Sequence, residues 1–282
     1  MRGTAGSRKG VQISEGLTLV PWNAVVRPMS KFLHFTLASV LVLLPALFGT
    51  ATDAQDQGGP PTSTAACLAF KSGLSLGASL AFTRAKLWAG GTLTIVALGS
   101  SSTTGFGAFG TGTPFPDVMK QELSRLYPSA RIELINSGRI MEGLEDNIAR
   151  IDRDVLRYKP DLLVWQIGTN DVVWRGIADN AEELLRESVK RIKAANTDVV
   201  LLDLQYAPLV LANNRYIRME KIIADVAGQQ KVGHFPRFIL MKRAIDAGVT
   251  GLVSWDGLHN SAEGYACVGL ALAQMIDAAV RQ

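Results

Sequence analysis

Leu93 to Leu98 reads Leu-Thr-Ile-Val-Ala-Leu, a short run rich in β-branched residues that stops at Gly99 and passes into Ser100-Ser101-Ser102-Thr103-Thr104-Gly105. Such a nearly continuous apolar run is the pattern of a strand buried on both faces, as parallel strands are. A loop of small hydroxyl residues directly after it lies at the carboxyl edge of the sheet, where open α/β sheets bind their ligands. Four more runs repeat the theme: Ile132 to Ile135, Leu162 to Ile167, Val199 to Leu204 and Val232 to Phe235. Between them lie amphipathic stretches that predict helices starting near Phe115, Glu142, Asp179, Asn213 and Phe238, with a last one over Ser261 to Arg281. Pro116 suits a first helical turn. This alternation predicts an α/β protein, a three-layer α/β/α sandwich on a parallel sheet. Its functional loops are Gly99 to Thr113, Asn136 to Gly143, Gly168 to Arg175 and Ser254 to Asn260.

The positive charges of the 282-residue chain, net +4, are spread rather than blocked, which argues against nucleic-acid binding. Lys31, the apolar run Phe32 to Phe48 and the small residues Gly49-Thr50-Ala51 and Ala54 have the order of an export signal. A retained membrane anchor is the alternative, but the run carries His34, Thr36 and Pro45 and falls short of the ~20 apolar residues of a spanning helix. Met29 would make the more ordinary start for this leader. The expected organisation is a leader over 1–54, a flexible linker over 55–66, an amino-terminal extension over 67–91 and the main domain over 92–282. An exported chain, periplasmic or secreted and without a stable membrane anchor, follows. In that compartment Cys67 and Cys267 can bridge the extension to the last helix; two buried thiols are the alternative.

A serine becomes a nucleophile at neutral pH when a base takes its proton. His34 falls in the leader, and His234 sits in a predicted strand as a packed or edge residue. His259 remains. It follows Asp256 by three positions, on a turn where the carboxylate can hold its Nδ1 proton and fix the tautomer. In the third loop, Asn170 offers an uncharged amide donor for a developing oxyanion, or else a turn or helix-capping group. The histidines and cysteines show no spacing of a zinc site.

Taken together, Gly99-Ser100-Ser101-Ser102-Thr103-Thr104-Gly105, Asn136-Ser137-Gly138, Gly168-Thr169-Asn170-Asp171 and Asp256-Gly257-Leu258-His259 resemble, in order and placement, the four blocks of the SGNH (GDSL-like) hydrolase superfamily. The resemblance covers about Thr92 to the end and is nearest to exported bacterial members. It implies a flavodoxin-like sheet and an esterase that needs no cofactor. It implies further that Ser101 is the nucleophile, His259 the base, Asp256 its orienting carboxylate, and that the Ser101 N–H, the Asn170 side chain and a second-block N–H hold the oxyanion. Two positions depart from the pattern. Ser100 stands where Asp is usual, and Met141 stands at the second block's glycine. If that position needs φ > 0, a Met there is strained and its side chain narrows the pocket; Gly138 or Gly143 could serve instead. The implied substrates are O-acetyl groups on envelope or extracellular carbohydrate, with lysophospholipids or thioesters as the lipid alternative, and Phe106, Phe109 and Trp174 are candidates to line the site.

Two rival readings compete. Gly105-Phe106-Gly107-Ala108-Phe109-Gly110 fits the dinucleotide pattern G-x-G-x-x-G, but it starts well past the strand, Pro114 and Pro116 interrupt the following helix start, and no acidic residue closes the second strand. The other is a non-catalytic carbohydrate-binding or assembly protein on the same fold, whose oxyanion site has decayed at Met141. Retention of Ser101, Asn170, Asp256 and His259 together argues against decay. The oligomeric state is not legible.

Overall fold

A computed structural model describes residues 62–108, 110 and 112–282. The expected leader, with His34, lies outside the described residues, as does most of the linker. In chain order the helices are α1 (Ser63–Ala69), α2 (Ala81–Trp88), α3 (Ser101–Thr104), α4 (Phe115–Leu126), α5 (Leu144–Ala149), α6 (Ile151–Asp154), α7 (Ala181–Ala194), α8 (Pro208–Leu211), α9 (Arg215–Gln230), α10 (Arg237–Asp246) and α11 (Ala262–Val280). The strands are β1 (Thr92–Gly99), β2 (Arg131–Gly138), β3 (Leu162–Gln166), β4 (Asp198–Leu202) and β5 (Gly233–Phe235). All pair in parallel, in the order β2-β1-β3-β4-β5. This is the flavodoxin-like order, whose direction of winding reverses between β1 and β3, and the loops leaving those two strands diverge there to open a crevice.

The alternation along each strand builds the two outer layers. Leu93 and Ile95, Leu162 and Val164, Val200 and Leu202 enter one core with α4, α10 and α11. Their neighbours Val96 and Leu98, Leu163 and Trp165, Val199 and Leu201 enter the other with α7 and α9. A period of two on a sheet covered on both faces leaves the central strand β3 apolar from Leu162 to Trp165. Trp165 is fully buried, and its indole N–H donates to Asn147 Oδ1 at 3.0 Å, which answers the one polar demand the ring makes.

The amino-terminal extension is structured. Thr62 caps α1 by accepting the Ala65 N–H, so the helix starts at Ser63, inside the segment expected as linker up to residue 66. The capping hydroxyl sets that boundary. Asp198 Oδ2, at the start of β4, accepts the N–H and hydroxyl of Thr83 at 2.8 and 2.9 Å and docks α2. The Leu76 carbonyl accepts the His234 N–H at 2.9 Å, so the extension runs against the free edge of β5. Cys67 in α1 and Cys267 in α11 form a disulfide with a Cα–Cα distance of 6.1 Å across a sequence separation of 200. Among the described residues, no helix is long and apolar enough to cross a membrane.

Candidate active site

The loop after β1 turns at once into α3, and Ser101 is its first residue. Two contacts force the turn. A Cβ on Gly99 would lie 2.2 Å from Thr103 Oγ1 and 2.9 Å from Gln166 Oε1, so the chain passes there only without a side chain. Gln166 Oε1, at the end of β3, then accepts the N–H and the hydroxyl of Ser100 at 3.0 and 2.8 Å. The Ser101 carbonyl is held by Thr104 Oγ1 and the Phe106 N–H, at 2.7 and 3.0 Å. Among the described residues the Ser101 N–H has no acceptor, since it is the first donor of a helical turn.

Ser101 Oγ lies 2.7 Å from His259 Nε2, and His259 Nδ1 lies 2.6 Å from Asp256 Oδ2. Asp256 also accepts the backbone N–H groups of Leu258 and His259 on Oδ1, both at 2.9 Å, which closes the turn that presents the imidazole. Burial works against ionisation of this carboxyl, yet the hydrogen bonds from Leu258 and His259 outweigh it and hold Asp256 below the ordinary carboxylate range. With Nδ1–H on the carboxylate, Nε2 is the acceptor for the serine proton. The ring of Phe106 packs edge-on to His259 with centroids 4.8 Å apart. The turn glycine Gly107 lets the loop lie against His259, since a Cβ there would be 2.6 Å from the His259 Cβ.

Asn170 is buried, and its Nδ2 donates to the Glu142 carbonyl at 2.8 Å. Met141, the residue before Glu142, has φ +67°, so the second-block position does require the left-handed conformation and carries a Met in it. Gly138 and Gly143 do not replace it. The Gly138 N–H is taken by Asn136 Oδ1 at 3.0 Å and the Gly143 N–H by Asp146 Oδ2 at 2.9 Å, whereas the Met141 N–H has no acceptor among the described residues. Met141 is 53% exposed and so lies at the surface. The arrangement joins a hydroxyl, an imidazole and a carboxylate in one hydrogen-bonded line, with Asn170 held against the segment that carries Met141.

Trp174 lies exposed on a π-helical turn, Asp171–Arg175, and the neighbouring Arg175 donates to the Met141 carbonyl at 3.3 Å, which brings that turn to the second block. Phe109 falls outside the described residues. His234 packs at β5 with Nε2 3.0 Å from the buried Asp203 Oδ2, a structural pairing. Gly105 ends α3 with φ +87°, and Gly107 packs on His259, so the first two glycines of the dinucleotide-like pattern serve this loop.

The sequence reading missed Arg150. It is 4% exposed, donates to the Gly99 carbonyl at 3.1 Å, and pairs with Glu142 at 2.5 Å and Asp154 at 3.1 Å, tying the first block to the second. Asp171, in the third block, accepts the Leu144 N–H on its carboxylate at 3.1 and 3.2 Å and so anchors the start of α5. Burial raises its pKa. An arginine on a short helix carries no spacing that betrays such a role.

The fold and the four blocks at one sheet edge define a member of the SGNH (GDSL-like) hydrolase superfamily. A family profile described as the Non-GDSL lipase-like family matches residues 66–282, and the chain belongs to that family. An acetylxylan esterase of Geobacillus stearothermophilus is 27% identical over 188 residues, spanning 61% of this chain and 83% of that esterase. Among solved structures, a lipase/acylhydrolase from Enterococcus faecalis superposes with a TM-score of 0.57 at 23% identity, covering 66% of this chain and 96% of the other. A two-domain esterase active on acetylated mannans, co-crystallised with mannopentaose, gives a TM-score of 0.62 at 18% identity over 76% of this chain and 57% of its own.

Proposed function

We propose that the protein is an exported serine esterase that removes O-acetyl groups from carbohydrate. The observation that carries this is the continuous relay Asp256–His259–Ser101, with links of 2.6 and 2.7 Å. Ser101 Oγ attacks the ester carbonyl as His259 Nε2 takes its proton, and Asp256 stabilises the imidazolium so formed. The oxyanion is received by the N–H groups of Ser101 and Met141 and by the Asn170 amide. His259 then protonates the leaving alcohol and activates the water that releases acetate. No step calls for a cofactor. The carbohydrate acetate preference is supported by likeness to esterases described as acting on acetylated xylan and mannan. Phe106, packed on His259, and Trp174, on the turn whose Arg175 reaches the Met141 carbonyl, are each about half exposed and offer rings to a sugar.

The test is fluorophosphonate treatment of the purified chain beside Ser101→Ala, read by intact and peptide mass, followed by an ester panel. Stoichiometric label on Ser101, absent in the variant, with turnover highest on acetylated oligosaccharides, is expected. An optimum on long acyl chains would redirect the proposal to a lipid substrate. No label on folded protein would favour a binding protein.

A further inference from the structure

Three buried side chains that perform no step of the proposed reaction join its three loops. Gln166, Thr169 and Gln205 are each 2% exposed or less. Gln166 Oε1 accepts from the N–H and hydroxyl of Ser100, and its Nε2 faces Thr169 Oγ1 at 3.4 Å. The Thr169 hydroxyl donates to Gln205 Oε1 at 2.9 Å, and Gln205 Nε2 donates to the Leu258 carbonyl at 3.0 Å. Ser100 directly precedes Ser101, Thr169 directly precedes Asn170, and Leu258 directly precedes His259.

The two ends fix the sense of every link. A backbone N–H at Ser100 can only donate, so Gln166 must turn its oxygen there and its NH2 toward Thr169. A backbone carbonyl at Leu258 can only accept, so Gln205 must turn its NH2 there and its oxygen toward Thr169. The threonine hydroxyl is the one group between them that can accept from one amide and donate to the other. A buried chain running in one sense reinforces itself, and breaking any link leaves an unpaired polar group out of water.

We infer that Gln166, Thr169 and Gln205 are positioning residues, a buried hydrogen-bond chain that sets the nucleophile, the oxyanion amide and the base in register with one another. This rests on the serine esterase reading. It acts through loop geometry and touches no substrate.

The experiment uses the full chain with a short aryl acetate as probe and fluorophosphonate labelling as a second readout. Thr169→Val keeps the shape and removes the hydroxyl; Thr169→Ser keeps the hydroxyl; Gln205→Met removes the second amide. Thr169→Val and Gln205→Met are expected to lower kcat about tenfold or more with KM within about twofold, since small misplacements of reacting groups act on kcat. Thr169→Ser restores kcat, and the double variant loses no more than either single one, because both break one chain. Wild-type kcat in Thr169→Val overturns the inference, as does a loss that Thr169→Ser shares or that falls on KM or melting temperature alone. Wild-type protein that does not label at Ser101 overturns the underlying esterase reading as well, whereas labelled wild type with unchanged variants overturns this inference alone.

Discussion

Asn170 holds its side-chain amide against the Glu142 carbonyl, 2.8 Å from Nδ2 to oxygen. A carbonyl can only accept, so the contact fixes which end of the amide is NH2 and uses one of its two hydrogens. The second hydrogen is the one that donates to the oxyanion in the proposed reaction. The link also makes the third loop dependent on the second, where Glu142 follows the left-handed Met141.

Asn170→Ala should lower kcat about 10²- to 10³-fold, the loss typical of one oxyanion donor, with KM changed little. Steady-state kinetics on an acetate ester decide this. An unchanged kcat would remove Asn170 from the reaction.

Asp256→Asn should lower kcat about 10⁴-fold, because an amide in place of the carboxylate no longer favours Nδ1–H and leaves Nε2 the wrong partner for Ser101. The turn would survive through the remaining side-chain carbonyl, which can still accept from the Leu258 and His259 N–H groups. The melting temperature therefore separates a chemical loss from a folding loss.

Met141→Gly should raise the melting temperature by about 1 to 4 °C, since the left-handed conformation costs a non-glycine residue about 1 kcal/mol, part of which glycine returns as unfolded-state entropy. Met141→Val, β-branched at the same φ, should lower it. Both keep the backbone N–H. Thermal melts that rank Val at or above Gly would show that the Met141 conformation carries no strain.

Reducing the Cys67–Cys267 bridge should lower stability by about 5 kcal/mol in the chain-entropy estimate for a loop of this length. Dithiothreitol should accordingly depress the melting temperature by roughly 10 to 20 °C for a chain of this size. The double variant Cys67→Ser/Cys267→Ser should melt at the same lower temperature with or without reductant. A wild type indifferent to full reduction, verified by mass, would contradict the prediction.

Glu220 is half-buried beside the Asp203 carboxylate, and both desolvation and that neighbour push its pKa well above the ordinary range. The folded protein then holds a proton that the unfolded chain releases above about pH 4.3. Its stability contribution is therefore present below that pH and declines as pH rises toward the raised value. Glu220→Gln keeps a carbonyl for the Leu204 N–H and removes the titration, so its melting temperature should exceed wild type at pH 8 and approach it at pH 4 to 5. A gap that widens on acidification would reverse the assignment.

The sheet could be read from the sequence because its central strands β1, β3 and β4 are buried on both faces, which leaves runs such as Leu162–Trp165 without polar interruption. Ser101, Asn170, Asp256 and His259 stand out through the order of four short blocks that resemble one superfamily, and the structure puts Ser101, His259 and Asp256 in one hydrogen-bonded line with Asn170 against Glu142. Other features had no local signature. Arg150 and Gln205 are ordinary polar residues in their surroundings, and only the convergence of Gly99, Glu142 and Leu258 in space gives them partners. The linker boundary failed for a different reason: the Thr62 cap is weak against the Pro and Gly around it, and helix α1 owes its place to the bridge and to packing on α11.

The bridge has one more consequence. Ser101, Asn170, Asp256 and His259 all lie between Cys67 and Cys267, so the whole proposed catalytic set sits inside one covalent ring. A protease that nicks an exposed loop between the two cysteines opens the ring without releasing a fragment. The two halves stay joined and remain neighbours at high effective concentration, and only a second cut or a reductant can part them.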